Sequence, residues 1–512
     1  MARLPNNSEK PFGEADCESE LRTLGENYQD YYFYHTRFNA DALKPDVYLI
    51  VGRRGSGKTA LSRYLSFRST LPDAVFIDVD EPKVYQDVLA PLSATATTAR
   101  EVAIPRLARV WDFVIWSVIF HHLRDKDPRI RDANVFGIDG GKASQFIRGA
   151  FRWLLTRFGS FDPLMSDHLE ELFATPTIAE GKQAVLEFAR SHPIVIAFDT
   201  LENYAVHDED MMRATAALIE CAAQFNPAYA SKNIHLKLFM MAEVFPYLLE
   251  EAITNSLKYV KNELYLHWRP KDLMRLLSWR LSVYLEKTGI QLPNGAVRDW
   301  DDHREVRAKM WTPFFGRDLT NGRGLTESTF PYVLRHTQLR PRQLIVLANE
   351  VARQSLEEGT FPRFTEEQLR SGVKKAEQRL ATEVVSAFSS VYPRIGQILD
   401  ALNGMPAVFK GRDLDKRAHQ TASQWPAGEY SAWRFRQIVS ELGVVGRVRT
   451  FSADGFTAEA DFEYAMETRL PILEHDICAM HPMFYQKLRV QVTPPVRLYP
   501  FPDHPEFIDL NA

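Results

Sequence analysis

The chain has 512 residues, too many for one ordinary hydrophobic core, so roughly two to four domains are expected. It is 45% hydrophobic and 25% charged, the balance of a soluble globular protein, and its net charge of -4 excludes a surface coated with cation for non-specific nucleic-acid binding. Three cysteines (Cys17, Cys221 and Cys478) stand far apart in no metal-ligand spacing, which excludes a disulfide framework and reads as reduced thiols.

Residues 1–30 are polar and acidic, lack a signal-peptide hydrophobic run, and read as a loosely ordered lead-in. A cytoplasmic location is expected. The aromatic run Tyr31, Tyr32, Phe33 and Tyr34 is expected to pack onto a nucleotide domain, with exposed base stacking as the alternative. Residues 47–51, VYLIV, then read as a short buried strand.

Directly after that strand comes Gly52, Arg53, Arg54, Gly55, Ser56, Gly57, Lys58 and Thr59, which satisfies G-x-x-x-x-G-K-[ST] at every fixed position. Ala60, Leu61, Tyr64 and Leu65 continue it as a helix. The glycines let the backbone curl so that successive N–H groups face one phosphate, beside a helix N-terminus. Lys58 would neutralise β/γ-phosphate oxygens and the Thr59 hydroxyl would ligate Mg²⁺. Such a strand–turn–helix binds a nucleoside triphosphate.

A second strand over 74–79 follows at the spacing of a βαβ unit, which implies a parallel sheet. Residues 100–190 read as helices, with Trp111, Phe113, Trp116 and Phe120 forming an apolar face; the most apolar stretch, 110–123, is too short to span a bilayer. Strands are expected over 194–198, 234–241 and 263–266. The first of these ends in Asp199, placed to hold Mg²⁺. Three residues on, Glu202 is the candidate that orients and deprotonates an attacking water, or else an acid favoured at a helix start. The strand ending near Ala242 carries Glu243 where a γ-phosphate sensor is sought, and an ionised acid cannot donate to phosphate.

Beyond Trp268 the alternation ends. Residues 271–286 read as an amphipathic helix with Arg280 on it, 291–325 as a long surface loop, and 330–356 as a helix pair around Arg340, Pro341 and Arg342. Two arginines flanking a proline at a helix start form a stiff cationic pair. One could report on the γ-phosphate from a lid, or both could simply cap the helix. From about 380 short helices precede two strands, 444–449 and 456–464, joined by a turn at Asp454 and Gly455. That order is a winged-helix pattern, with Trp433, Ile438 and Leu442 expected inside the helix over 431–442. Arg434, Arg436, Arg447 and Arg449 suit DNA phosphates, while Glu459, Asp461, Glu463 and Glu467 favour a protein partner.

These motifs resemble the AAA+-related branch that holds the origin-recognition and STAND-type NTPases, and more narrowly a stand-alone bacterial P-loop ATPase family. The carrying residues are the phosphate loop, Asp199-x-x-Glu202, Trp268-x-x-x-Asp272-Leu273, Arg340-Pro341-Arg342, Glu441-Leu442-Gly443 and His481-Pro482-Met483-Phe484. The resemblance implies Mg²⁺-dependent ATP binding and hydrolysis coupled to a conformational or oligomeric switch, and some members resemble components of antiviral defence. The expected organisation is a lead-in (1–34), an α/β P-loop core with a parallel sheet flanked by helices (35–268), a helical lid (269–379), a winged-helix domain (380–490) and a tail (491–512). Catalysis would fall to Glu202, Lys58, Arg340 and Arg342, nucleotide binding to residues 52–60, and metal binding to Thr59 and Asp199. Expected partners are a protein or a like subunit, with DNA through the winged helix as the alternative and no membrane. An ATP-clamped DNA regulator and a P-loop kinase are the competing functions.

Overall fold

The structure is a computed structural model that describes residues 10–79, 100–134, 171–199, 209–252, 259–389, 391–425, 430–465 and 469–501. The chain separates into two compact units. A sheet unit comprises Thr36–Arg54 and Lys58–Leu266; a composite unit comprises Met1–His35, Gly55–Gly57 and His267–Ala512.

The sheet unit is built on five parallel strands: β1 (Leu49–Gly52), β2 (Val75–Val79), β3 (Ile194–Phe198), β4 (Ile234–Met241) and β5 (Leu264–Tyr265), ordered β2-β3-β4-β1-β5. Parallel neighbours need helical crossovers, and helices on both faces exclude water from the strands. Hence β1 and β3 are buried at every position and read as unbroken apolar runs. The helix Arg100–Leu123 buries Trp111, Phe113, Trp116 and Phe120 as expected, and Trp111 donates its indole N–H to the Ala214 carbonyl at 3.0 Å.

One join in this sheet depends on a side chain. β1 meets β4 only from Leu238 onward, which leaves Leu236 without a strand partner on that edge. Asn226 fills the gap: its amide oxygen accepts from the Leu236 N–H at 3.0 Å and its amide nitrogen donates to the Leu236 carbonyl at 3.1 Å. A buried backbone pair is thereby satisfied by a primary amide.

From residue 10 onward the composite unit corrects the expectation of a loose lead-in, residues 1–9 lying outside the described residues. Helix Cys17–Leu24 is N-capped by Asp16, and Phe12, fully buried, lies 6.1 Å from Phe315 and 6.2 Å from Phe364. Arg280 donates to both carboxylate oxygens of Glu20, at 2.6 and 2.9 Å, and to the Phe12 carbonyl at 3.0 Å. An ion pair spanning 260 residues leaves no local pattern, so polar letters alone read as disorder. Of the aromatic run, Tyr31, Tyr32 and Phe33 are buried and Tyr34 is 49% exposed; the Phe33 ring lies 6.3 Å from that of Trp279 in helix Pro270–Lys287, which donates to the Asp30 carbonyl at 3.0 Å.

The stretch expected as one long surface loop contains three consecutive helical segments, His303–Val306, Arg307–Trp311 and Thr312–Phe315, and a hairpin of β6 (Asp318–Thr320) and β7 (Thr326–Ser328). Trp311 stacks on Phe315 at 3.9 Å, and both are buried. Each element is too short to show a period in the sequence.

A second sheet, β12-β10-β9-β11-β8, comprises β8 (Val408–Lys410), β9 (Val445–Phe451), β10 (Thr457–Asp461), β11 (Ile477–Met480) and β12 (Arg497–Tyr499). With helices Gly411–His419 and Ala432–Glu441 before the antiparallel β9–β10 hairpin, it has the winged-helix order. Trp433, expected inside, is 61% exposed. The buried face runs through Phe435, Ile438, Val439 and Leu442, and a residue two before Phe435 projects to the opposite side of the helix.

Candidate nucleotide site

Because all five strands run the same way, the C-terminal ends of β1, β4 and β3 lie along one edge of the sheet. β1 ends in Gly52 and the phosphate loop, β4 ends before Glu243, and β3 ends before Asp199, which is 2% exposed. Only β4 separates β1 from β3, about 10 Å in strand spacings. Sequence reasoning placed both motifs on strands, and the strand order brings them to one edge.

Within the loop, Gly55 (φ +81°) and Gly57 (φ +100°) occupy backbone regions that side chains rarely adopt. A Cβ on Gly57 would meet nothing within 4 Å, so the loop is open at that position. Lys58 opens the helix Lys58–Leu65, is buried, and donates its ammonium to the Gly52 carbonyl at 3.0 Å. Thr59 and Ala60 are half-buried in the first turn, Arg53 is half-buried and Arg54 exposed.

The loop is also held from outside. Glu243, buried, accepts the Arg54 backbone N–H at 3.1 Å. This carboxylate therefore supports the loop backbone. Trp268 donates its indole N–H to the Ser56 carbonyl at 2.7 Å, and the backbone N–H of Arg342 donates to the Gly55 carbonyl at 3.3 Å. The Trp268 contact carries no charge pattern that a sequence could display; the residue stands out there only as the start of the Trp268-x-x-x-Asp272 segment.

The residues fit a magnesium-bound triphosphate. Ser56 is buried and its hydroxyl oxygen has no partner among the described residues, as expected of a group in a cradle made for another molecule. Lys58 would hold phosphate oxygens, and Thr59 with Asp199 would hold the metal.

The remaining candidates divide. Glu202 lies outside the described residues. Arg340 is buried at the start of helix Pro341–Glu357 and donates to the Gln338 amide oxygen at 2.7 Å, while Gln338 in turn donates to the Leu442 carbonyl at 2.8 Å. Arg342 directs its guanidinium to the Ala15 carbonyl at 3.0 Å and to Glu383 at 3.3 Å. Arg280, the weaker candidate, is committed to Glu20.

The arginines of the winged-helix region mostly face partners within it. Arg449 pairs with Glu459 at 2.9 Å and Arg436 with Asp415 at 3.5 Å, and Arg434 donates to Gln437 at 3.1 Å with its guanidinium 5.6 Å from the Tyr392 ring centroid. Among the described residues no helix is long and apolar enough to cross a membrane, and no cluster of His, Cys, Asp and Glu could hold a metal ion.

No protein-family profile matches the chain, and no curated protein matches it. Among solved structures, the chain is similar to the ORC2 protein of Aeropyrum pernix in ADPNP–ADP complexes, at 12% identity and TM-score 0.32 over 90% of each chain. The ADP form of that protein is similar at 12% identity and TM-score 0.25, over 86% of this chain and 84% of the other.

Proposed function

We propose that the chain is a Mg²⁺-dependent ATP-binding and hydrolysing switch, with ATP and Mg²⁺ as its cofactors. The observation that carries this reading is the phosphate loop, open at Gly57 with Lys58 buried at its helix start, on the same sheet edge as the buried Asp199. Lys58 neutralises phosphate oxygens, and Thr59 and Asp199 position the metal. When bound, Mg²⁺ withdraws charge from the phosphate oxygens and eases attack by water. Glu202 orients that water and takes its proton on a carboxylate oxygen.

The switch lies in a choice of partners for Arg342. Its guanidinium is engaged by Glu383 and the Ala15 carbonyl, and a γ-phosphate, which carries more negative charge than one carboxylate, offers a competing charge-assisted partner. A ligand drives such an exchange only by binding one arrangement better, and the γ-phosphate supplies that difference. Arg340, tied through Gln338 to the backbone at Leu442, offers a route from the helix start to the winged helix.

The output passes to a protein partner or a second copy. The internal pairing of Arg449 and Arg436 and the exposure of Trp433 favour a protein surface over duplex DNA. A role in antiviral defence accords with this switch.

Steady-state hydrolysis tests the assignment. Wild-type protein should release phosphate from ATP in Mg²⁺, Lys58→Ala should lose nucleotide binding, and Glu202→Gln should bind ATP without turning it over. Undiminished turnover in Glu202→Gln would remove that residue from the mechanism, and phosphate transfer to an acceptor other than water would make the protein a kinase.

A further inference from the structure

The carbonyl of one residue and the N–H of the next share a planar trans peptide and point in opposite directions. Fixing a carbonyl therefore fixes the following amide. In the phosphate loop two consecutive carbonyls are fixed from outside: Gly55 by the Arg342 backbone N–H at 3.3 Å, and Ser56 by the Trp268 indole N–H at 2.7 Å. The Ser56 and Gly57 amides are thereby turned away from Arg342 and Trp268. Two consecutive amides presented together in a glycine-rich turn form an anion-binding nest.

We propose that Trp268 and the backbone of Arg342 are positioning residues that pre-form this nest. The proposal rests on the phosphate-loop reading and adds the groups that orient its amides. The donors differ in kind. Arg342 is the second residue of helix Pro341–Glu357, and its N–H is one of the first-turn donors that have no partner within a helix. Arg340, the N-cap, provides no side-chain cap, and the Gly55 carbonyl accepts from Arg342 instead. Trp268 precedes helix Pro270–Lys287 and reaches the loop through its side chain. The Ser56 contact, at 2.7 Å, is the shorter of the two and the one a substitution can remove cleanly.

The consequence is energetic. A loop whose amides already face inward binds anion without first spending free energy on ordering. Without the indole N–H, the Ser56–Gly57 peptide plane samples other orientations, and each binding event must select the competent one.

The test uses the full chain and two readouts. Trp268→Phe keeps a ring and removes the donor. Amide hydrogen exchange of the peptide covering residues 52–59 is measured without nucleotide, and ADP affinity by calorimetry. We expect about three- to tenfold faster exchange and about three- to tenfold weaker ADP binding, the scale of one hydrogen bond, with an unchanged melting temperature. Site-specific 3-benzothienylalanine at 268 keeps the bicyclic ring without its N–H and should reproduce both losses. Wild-type exchange and affinity in that variant would overturn the proposal, because ring packing rather than the hydrogen bond would then be the cause. If wild-type protein binds no ADP, the nucleotide reading falls by itself, and the exchange comparison still decides whether Trp268 orders the loop.

Discussion

The Arg342 backbone N–H donates to the Gly55 carbonyl at 3.3 Å, and a Cβ added to Gly55 would come to 3.0 Å from the Cβ of Arg342. Gly55 also holds φ at +81°, so its backbone favours glycine and its neighbour leaves a side chain little room. Gly55→Ala should cost about 1–2 kcal/mol in stability from the positive φ alone. Nucleotide affinity should fall more steeply than stability, because relieving the contact moves the loop away from Arg342. Paired thermal melts and ADP titrations check this. Gly57→Ala is the contrast: its φ is +100° but its Cβ would meet nothing, so only the backbone cost applies.

Glu20 and Arg280 are both buried, and Arg280 also holds the Phe12 carbonyl. Removing one partner leaves a charge in a medium that solvates it poorly. Glu20→Ala should therefore destabilise the composite unit by about 3–5 kcal/mol. Replacing both with similar-sized apolar residues should cost far less, since the desolvation of two ions is then recovered. Urea denaturation of the single and double variants separates the two outcomes. Equal losses in both would mean that the pair contributes packing rather than charge.

The pH dependence of folding has a defined sign at His235 on β4. Burial, reinforced by the nearby Lys237, pushes its imidazole down to about 4 from its ordinary value of 6.5. Below 6.5 the unfolded chain takes up a proton that the folded chain refuses, so stability falls as pH drops from 6.5 towards 4. The loss from this group is at most about 3 kcal/mol. His235→Phe should flatten that part of the stability profile. An unchanged acid limb in the variant would assign the loss to other groups, such as the fully buried His481, also held well below its ordinary range by burial.

Sequence reading reaches furthest where one physical rule governs a run of residues. β4 was legible over its full length of 234–241 because its residues are apolar apart from His235 and Lys237, and the phosphate loop because backbone geometry demands glycine at fixed spacing. The reading stops where a partner is remote. Trp268 on Ser56, Glu20 on Arg280 and Asn226 on Leu236 are contacts made by the fold, and their letters carry no local signature. Trp433 shows a different failure: an aromatic residue beside a true apolar stripe reads as part of it, although its offset from Phe435 turns it to solvent.

Arg342 gives the most direct test of the proposed switch, because its partners within the fold are Glu383 and the Ala15 carbonyl. Its guanidinium donates to Glu383 at 3.3 Å and to the Ala15 carbonyl at 3.0 Å, and Glu383 is the only charged one of the two. If the γ-phosphate competes with Glu383 for this cation, removing Glu383 lowers the cost of the exchange. Glu383→Ala should then raise ATP affinity relative to ADP, while Arg342→Ala should abolish the preference for ATP. The Arg342→Ala backbone still donates to Gly55, so its ADP affinity should change much less than its ATP affinity. A side pair that is partly exposed, as this one is, is worth about 1 kcal/mol or less, so the Glu383→Ala gain should be a few-fold. Calorimetric titration with ADP and a non-hydrolysable ATP analogue measures both ratios. Equal ATP-to-ADP ratios in wild type and Arg342→Ala would exclude its guanidinium as the γ-phosphate sensor and leave it as a strut between residue 15 and helix Glu366–Ala387.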